Sequence, residues 1–439
     1  MQPSFRMYKS RSDRYRMNQN LRGKRLLILG GSLWKKATKD FAEQNGITLI
    51  ATGNDKRAGI FEIADEKHYV NSIDPLEMKQ LIATSKIDGV YMGGSETVIS
   101  QASKYLNELN MPCYCTHTQW KQLQDKGNFK ELCVRFGLPV VRKFNNIHEV
   151  GLHDFPVITK PSDGCGSSGF SVCDNYEELK IGYKLAESLS PAGSVLIEKF
   201  VPNDSVVVFY TISKGKIIFS GLEDKYSVRY PKQGSYVGGL FIFKSKRTNE
   251  FRQKFEQNIT KMIEFLGITE GNFWIEVFHD GDEYYFNEVG FRYGGSCSIY
   301  PINYFYGINQ VASDINFALT GESRIWGFNS LIPDTVPHKK YYAIYPIYCI
   351  PGKITAITGI NELMHRKNMI NVPVIRDTGT IISDTGTFSQ VVALAHFVYD
   401  SELELKSTIK FIHQAIKIIG EGGQDLVAKM LDLSTLRLK

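Results

Sequence analysis

The sequence lacks the patterns that would place it in a membrane or in an oxidising compartment. Its longest apolar run, residues 341–350, is too short to span a bilayer. Its first residues do not show the charged-then-apolar order of a signal peptide. The seven cysteines are scattered, are odd in number and include no C-x-x-C pair. We therefore expect free thiols, no cysteine zinc site and a cytoplasmic location.

Excess positive charge is scarce outside one end of the chain. Residues 1–25 hold eight Lys or Arg and a single acidic residue, Asp13, which more than accounts for the net charge of +6. A nucleic-acid-binding protein is expected to carry its basic patch on a folded face. We interpret residues 1–20 instead as a basic disordered arm, and we expect neither a nucleic acid nor a membrane as partner.

The length of 439 residues predicts two to four domains. From Arg25 onwards, short apolar strands such as RLLILGG and ITLIATG alternate with helices, which predicts a doubly wound parallel α/β sheet. Later segments favour antiparallel strands, and the last hundred residues are strand-rich before a final helix. The predicted parts are the arm 1–20, a Rossmann-like domain 21–118, a central domain 119–325 with a lid at about 145–202, and an α+β domain 326–439.

The first α/β unit does not have the fingerprint of a dinucleotide site. After its first strand the sequence reads GGSLWK, without a third glycine at the required spacing. An NAD-dependent oxidoreductase would need that fingerprint within residues 25–60. We therefore consider this function class excluded.

A glycine-rich stretch, KPSDGCGSSGF at residues 160–170, is a candidate phosphate-binding loop. Apolar residues on both sides predict strand, loop, strand, whereas a dinucleotide loop is followed by a helix. In a Walker A loop the lysine follows the glycines, but here Lys160 precedes them. Backbone N–H groups of such a hairpin can surround a polyphosphate, and Lys160 can reach the same phosphates. The alternative is an ordinary turn.

The segment WIEVFHDGDEYYFNEVGFR predicts a hairpin that carries two carboxylates. If its loop holds three or five residues, Glu276 and Glu288 lie opposite each other on one face. Two carboxylates so close repel each other unless a cation lies between them, and oxygen ligands suit Mg²⁺. Arg292 follows, where it can neutralise charge on a transferring phosphoryl group. The alternative is a solvent-exposed ladder in which lysines pair with the acids.

Two further segments indicate a nucleotide site only in combination with the glycine-rich loop and the two carboxylates. QWKQLQDKGNFKELCVRFG predicts one helix that carries Asp125 and Lys126, and LIEKFV at residues 196–201 ends a strand. An adenine can bind such a strand edge through backbone groups and apolar side chains. The order along the chain is lysine-bearing helix, lysine with glycine loop, E-K-F-V, two glutamates on a hairpin, then arginine.

This order resembles the ATP-grasp superfamily, over about residues 25–325. The most similar branch contains biotin carboxylase, carbamoyl-phosphate synthetase, the purine-pathway ligases and the L-amino-acid ligases. The resemblance implies an ATP-grasp fold with a mobile lid, and ATP with Mg²⁺ or Mn²⁺ as cofactors. It implies ATP-phosphate contacts for Lys126 and Lys160, a lid loop of Ser167, Ser168 and Gly169, an adenine edge of Glu198, Lys199 and Val201, a metal pair of Glu276 and Glu288, and contact of Arg292 with the reacting phosphates.

The sequence departs from the family pattern at two places. The common E-x-N pattern reads Glu288-Val289-Gly290, so one side-chain metal ligand is missing. The carboxylate expected near residue 205 to bind ribose is Ser205, and we expect Asp204 to replace it.

The resemblance implies an ADP-forming ligase that makes C–N bonds. ATP would phosphorylate a small carboxylate, with Glu288 and Arg292 as catalytic residues, and an amine would displace the phosphate. The alternatives are a carboxylase or kinase built on the same fold, or a nucleotide-binding regulator without turnover. The expected partners are the two small substrates, and a homodimer is compatible with the resemblance.

We expect the basic arm to be dispensable. A chain shortened to begin at Leu21 should fold and keep its nucleotide affinity, because the arm shows no apolar periodicity that would dock it. Thermal denaturation and ATP titration of the shortened and full chains test this. A large fall in melting temperature on shortening would mean that the arm packs on the folded body.

Overall fold

The computed structural model describes residues 19–30, 32–56, 58–162, 169–190, 192–201, 204–230, 236–327, 340–434, 436 and 438. It divides the chain into two compact units. The first holds residues up to 116 together with 302–335, and the second holds 117–301 together with 336–439. The predicted division into four parts stays a prediction. Leu21, at the end of a short 3₁₀ turn, is fully buried, whereas residues 1–18 of the predicted arm lie outside the described part.

The first unit contains the predicted parallel sheet. Its elements up to residue 116 are β1 (Arg25–Leu29), α1 (Lys35–Asn45), β2 (Thr48–Thr52), β3 (Glu66–His68), α2 (Pro75–Thr84), β4 (Gly89–Tyr91) and α3 (Glu96–Glu108). Within the described residues the strand order is β3–β2–β1–β4, and every pairing is parallel. Strand β1 lies inside the sheet, and its apolar run from Leu26 to Leu29 is fully buried. Helix α1 ends at Gly46, which adopts the left-handed conformation at φ +66°.

The single helix predicted for residues 119–137 is wrong in one respect. The structure has two helices, α4 (His117–Gln124) and α5 (Lys126–Arg135). Asp125 separates them because its carboxylate accepts a hydrogen bond from the backbone N–H of Asn128 at 2.8 Å, which caps the N-terminus of α5. Lys126 therefore begins a new helix.

A small antiparallel sheet follows in the second unit. Its elements are β5 (Lys143–Phe144), β6 (Val157–Pro161), β7 (Ser171–Cys173), α6 (Tyr176–Leu189) and β8 (Val195–Lys199). The strand order is β5–β8–β6–β7. Strands β6 and β7 pair on either side of the glycine-rich stretch, as predicted. Residues 163–168 of that stretch lie outside the described part. Helix α6 packs on the sheet around Phe144, Val157, Leu179 and Ile197.

The second unit also contains a larger antiparallel sheet and a three-stranded sheet of order β17–β15–β19. The elements from residue 205 to the end of the chain are β9 (Ser205–Ser213), β10 (Lys216–Arg229), β11 (Tyr236–Phe243), α7 (Thr248–Phe265), β12 (Gly271–Asp280), β13 (Glu283–Gly290), α8 (Ile299–Tyr306), α9 (Gln310–Thr320), β14 (Tyr341–Cys349), β15 (Gly352–Thr358), α10 (Ile360–Met364), β16 (Met369–Asn371), β17 (Ile381–Ile382), β18 (Val391–Tyr399), α11 (Glu402–Ala415), β19 (Lys417–Gly420) and β20 (Val427–Ala428). Of these, α9 and the part of α8 from residue 302 belong to the first unit. The order along the main path is β13–β12–β9–β10–β11–β14–β18–β16. Strand β14 thus continues the sheet begun by β9 to β13.

The fold-class prediction is confirmed: a parallel α/β sheet is followed by large antiparallel sheets with helices. The buried face of the C-terminal part packs apolar side chains of β14 and β18 against α11, for example Ala343, Phe397 and Ile409. Among the described helices, none combines the length and the apolar character that a bilayer-spanning segment requires.

The hairpin of β12 and β13 has the predicted pairing but not the predicted loop. Asp280 pairs with Glu283, so the turn holds only Gly281 and Asp282. A hairpin with that turn would pair position 276 with position 287. A register shift next to Glu276 inserts one extra residue, and Glu276 therefore pairs with Glu288.

Candidate active site

A cavity of about 230 Å³ lies within the second unit. Side chains from α5, β6, β8, β10, β12 and β13 line it. Seven residues predicted from the sequence are among the lining residues: Lys126, Lys160, Glu198, Lys199, Val201, Glu276 and Glu288. The structure thus brings together residues that lie up to 162 positions apart in the chain. Their individual roles stay predictions.

Glu276 is a buried carboxylate with three polar neighbours. Its Oε1 lies 2.6 Å from the Lys225 ammonium and accepts a hydrogen bond from Ser205 Oγ at 2.9 Å. Its Oε2 accepts a longer bond from Asn287 Nδ2 at 3.3 Å. Burial alone would raise the pKa of Glu276, but the Lys225 ammonium and these donors outweigh it, and the pKa is lowered. The group is therefore an anion at neutral pH.

Glu288 is the more exposed member of the carboxylate pair. It lies directly across the ladder from Glu276, and its Oε2 is 3.9 Å from the ammonium of Lys126. Burial lowers the pKa of Lys225, but Glu276 and then Glu288 act against it, so the pKa of that ammonium is raised. The two carboxylates therefore form one negative centre with Lys225 beside it.

A second, positive centre surrounds Glu198. This carboxylate is 2 % exposed and forms ion pairs with Lys130 and, at 2.7 Å, with Lys160. Burial raises the pKa of Glu198, but the two ammonium groups more than compensate and lower it to about 2. Burial also lowers the pKa of Lys130. Two cations and one anion leave a net positive charge on this side of the cavity.

The strand end predicted to hold adenine lies on the cavity wall. Val201 is 8 % exposed. The Lys199 ammonium donates hydrogen bonds to the backbone oxygens of Asp154 and Phe155, at 2.7 and 3.2 Å. The Lys199 side chain is thus held by the protein, and the contact of its backbone with adenine stays a prediction.

Among the described residues, the other predicted ones, Arg292, Asp204 and Gly169, do not line the cavity. Arg292 donates a hydrogen bond to the Tyr293 carbonyl at 3.0 Å, and its guanidinium lies 5.3 Å from the Trp274 ring centroid. The Asp204 carbonyl accepts the His279 N–H at 3.1 Å. Gly169 begins the described chain after the loop, at φ +73°. Ser167 and Ser168 lie outside the described residues.

Trp274 gives the physical reason for Gly290, where the family pattern has asparagine. The two residues are cross-strand partners. A Cβ atom at position 290 would overlap the indole ring, so no side chain fits there unless the tryptophan moves. The amide that lines the cavity beside the carboxylates comes instead from Asn287, the residue before Glu288.

Sequence reasoning missed Lys130, Lys225 and Asn287. Lys130 follows Lys126 by four positions, so both face one side of α5, and that spacing was a usable signal. Lys225 lies next to the buried central part of strand β10, where a lysine is unusual unless it is paired. Asn287 reaches the cavity only through the register shift, which the assumed loop of three or five residues hid.

Comparison with known proteins identifies one domain within this chain. Residues 129–296 match the family model of the ATP-grasp domain. The chain therefore contains an ATP-grasp domain, and the resemblance seen in the sequence is confirmed.

Three individual proteins resemble this chain at 18–23 % identity over the aligned residues. The formate-dependent phosphoribosylglycinamide formyltransferase of Shewanella frigidimarina is 23 % identical over 286 residues, which cover 61 % of this chain and 68 % of that protein. The crystal structure of an L-amino acid ligase from Bacillus licheniformis superposes with a TM-score of 0.71 at 20 % identity, covering 91 % of this chain and 99 % of that one.

A third relative shows the same fold. The biotin carboxylase domain of the 2-oxoglutarate carboxylase from Hydrogenobacter thermophilus, solved with MgADP and bicarbonate, has a TM-score of 0.70 at 18 % identity, over 92 % of this chain and 91 % of that one. At these identities the solved structures establish the fold alone.

We expect the protein to lose much of its stability when Glu198 loses its charge. Glu198→Gln should lower the free energy of unfolding at pH 7 by about 3–5 kcal/mol, because Lys130 and Lys160 lose their buried counter-ion. Glu177→Gln is the control: this residue forms an exposed pair with Lys180, with Glu177 80 % exposed, and should cost less than about 1 kcal/mol.

Acid titration adds a second readout. The folded pKa of Glu198 is about 2, below its ordinary value of 4.5, so its stabilisation is complete above pH 4.5 and is lost as the pH falls towards 2. Urea unfolding of both variants and the parent protein at pH 7 and pH 3 measures both effects. Equal stability of Glu198→Gln and Glu177→Gln would contradict the buried pairing.

Proposed function

We propose that this protein is an ADP-forming ligase that uses ATP and Mg²⁺ to join a small carboxylate to an amine. The observation that carries the proposal is the pairing of two opposite charge centres in one cavity: the carboxylates Glu276 and Glu288, and the lysines around Glu198. A nucleotide polyphosphate with a divalent cation presents both signs of charge. The names of the relatives add support, since they include a formyltransferase and an amino acid ligase.

Lys126 and Lys160 are the proposed phosphate ligands. Both line the cavity, from different elements, and Lys130 pairs with Glu198, as Lys160 does. An ammonium in a partly dry site binds phosphate oxygens more strongly than it does in water. Ser167, Ser168 and Gly169 would add lid contacts. Glu198, Lys199 and Val201 would form the adenine edge, and Asp204 would bind ribose.

Glu276 and Glu288 are the proposed metal ligands, and the residues present fit the ion. Both offer oxygen ligands on one face of the hairpin, and Asn287, which lines the same cavity, adds an amide beside Glu276. Mg²⁺ is commonly held by one or two carboxylates together with substrate phosphates, whose charge it neutralises. Ionised Glu276 is poised for this because its pKa is lowered.

The chain's own groups would position the two reactants and balance their charge. A carboxylate and a phosphate repel each other, so holding them in contact requires nearby cations. Lys225 is one such cation, because it lines the cavity beside Glu276. Arg292, which lies over the Trp274 ring, is proposed to contact the reacting phosphates. The amine then displaces phosphate from the acyl carbon and an amide forms.

One assay distinguishes the ligase function from the carboxylase, kinase and regulator alternatives. Amino acids and small carboxylates, bicarbonate included, are screened one at a time with ATP and Mg²⁺ for ADP release, in the presence of hydroxylamine, which traps an acyl phosphate as a coloured hydroxamate. A ligase releases ADP and forms hydroxamate in equal amounts. ADP release with bicarbonate alone indicates a carboxylase, and a stable phosphorylated product indicates a kinase. If the protein binds ATP but releases no ADP with any of the carboxylates, it is a regulator, and the proposal is contradicted.

The metal pair should behave as one unit. Glu276→Gln and Glu288→Gln should each remove most carboxylate-dependent ADP release, and the double variant should be little slower than either, because residues that act together are strongly non-additive. Glu283→Gln, at the exposed tip of the same hairpin, is the control. Near-normal turnover of both single variants at low Mg²⁺ would remove the carboxylates from the proposed centre.

Lys160 should dominate nucleotide affinity. A hydrogen bond to a charged group contributes roughly 1.5–3 kcal/mol, so Lys160→Ala should weaken ATP binding about tenfold or more. Lys160→Arg keeps the charge and should lose less. Lys180→Ala, on the exposed surface of α6, is the matched control. Calorimetric titration with ATP measures all three, and an unchanged dissociation constant for folded Lys160→Ala would refute the assignment.

A further inference from the structure

A second buried carboxylate lies near the cavity and has no strong partner. Glu223 is 1 % exposed. Among the described residues its hydrogen bonds come from Ser296 Oγ alone, at 3.4 Å to each carboxylate oxygen. Bonds of that length are weak for a carboxylate. Its cross-strand neighbours, Val207 and Phe243, are both apolar. A buried carboxyl in this state is stable only as the neutral acid, and it becomes an anion when a cation is brought beside it.

The sheet aligns Glu223 with the metal pair. Glu223 pairs with Val207, Val207 pairs with Glu276, and Glu276 pairs with Glu288, so the carboxylates share one face of the sheet. Neighbouring strands lie roughly 5 Å apart, which places the backbones at 223 and 276 about 10 Å from each other. Lys225, which lines the cavity, is two positions along the same face of β10.

The segment Gly294–Ser298 is packed closely beside this carboxylate. It supplies Ser296, and it approaches β9 tightly, because a Cβ atom at Gly294 would lie 3.0 Å from the Phe209 ring and 2.8 Å from Ser298 Oγ. Ser298 Oγ is itself buried and has no hydrogen-bond partner. Two polar groups with unmet hydrogen-bonding capacity therefore meet here: Ser298 belongs to the segment Gly294–Ser298, and Glu223 lies beside it.

We propose that Glu223, together with Ser296, forms the subsite that binds the acceptor amine as a primary ammonium ion and removes its proton. This inference rests on the proposed ligase function and assigns the second substrate of the same site. An ammonium group donates three hydrogen bonds, which matches a carboxylate and a hydroxyl that lack close donors. Access to Glu223 from the Lys225 side requires that Gly294–Ser298 shift on binding.

The proton balance of the step fits a carboxylate at this position. Glu223 takes one proton from R–NH₃⁺, and the lone pair freed on nitrogen attacks the acyl carbon. The bond from that carbon to the phosphate oxygen breaks, and the phosphate leaves with the electron pair. The second nitrogen proton passes to the departing phosphate, which leaves an amide and inorganic phosphate.

Burial supports the role of Glu223 as proton acceptor. It raises the pKa of Glu223 to about 8, while Ser296 and Lys225 act in the lowering direction and Asp224 in the raising one. A base whose pKa lies near the working pH can accept a proton and release it within one turnover.

The test compares two acceptors on one enzyme. Hydroxylamine is neutral at pH 7 and needs no deprotonation, whereas a primary amine such as glycine arrives as an ammonium ion. With the carboxylate found by hydroxamate trapping, each protein amino acid is offered as acceptor, and amide and hydroxamate are measured separately. Glu223→Gln should lower kcat/KM for the amine at least 100-fold and change hydroxamate formation less than threefold. Ser296→Ala should raise the KM for the amine by about tenfold.

Asp224→Asn is the matched control, because Asp224 is a buried carboxyl on the opposite face of the same strand, hydrogen-bonded to Ser245 Oγ at 2.7 Å. It should leave the ratio of amide to hydroxamate unchanged. If Glu223→Gln does not fold, the ratio of amide to hydroxamate is measured for Glu223→Asp and Ser296→Ala instead. An unchanged ratio in the folded variants, or hydroxamate formation by the parent enzyme with no amino acid as acceptor, would overturn the subsite. Absence of hydroxamate from the parent enzyme would instead overturn the ligase function itself.

Discussion

The buried ion pair between Glu276 and Lys225 is the interaction on which the geometry of the cavity depends. Its members come from β12 and β10, and Ser205 on the strand between them donates to the same carboxylate oxygen. A slip of one residue in either pairing would turn one partner to the opposite face of the sheet and leave a buried charge without its counter-ion. The pair therefore fixes the register of three strands as well as the charge of the site.

The positive side of the cavity is held in a different way. Lys130, Lys160 and Glu198 come from α5, β6 and β8, so one helix and two strands of the small sheet meet at a single carboxylate. Asp125 contributes indirectly, because by starting α5 it sets the face on which Lys126 and Lys130 project. The four-stranded and the nine-stranded sheet of the second unit thus each have a buried ionic contact beside the cavity.

Much of this arrangement could be predicted from the sequence, and the rest depends on geometry that a sequence does not display. Strand periodicity and the order of motifs were sufficient for the fold class and for seven residues of the cavity wall. The Glu276–Glu288 pairing was right although the assumed loop was wrong, because the two-residue turn and the register shift offset each other. Lys225 and Glu223 were missed because their importance comes from strands 50 residues or more away in the chain. The contact of Arg292 with the phosphates comes from family likeness and stays a prediction; in the structure its guanidinium lies over the Trp274 ring.

The contact between Trp274 and Gly290 limits how this sequence can change. An asparagine at 290 would collide with the indole, whereas a smaller residue at 274 would uncover the glycine and remove the surface on which Arg292 rests. The cost of changing either position therefore depends on the residue at the other, so positions 274 and 290 are expected to be epistatic: a larger residue at 290 is easier to place once the indole at 274 is gone.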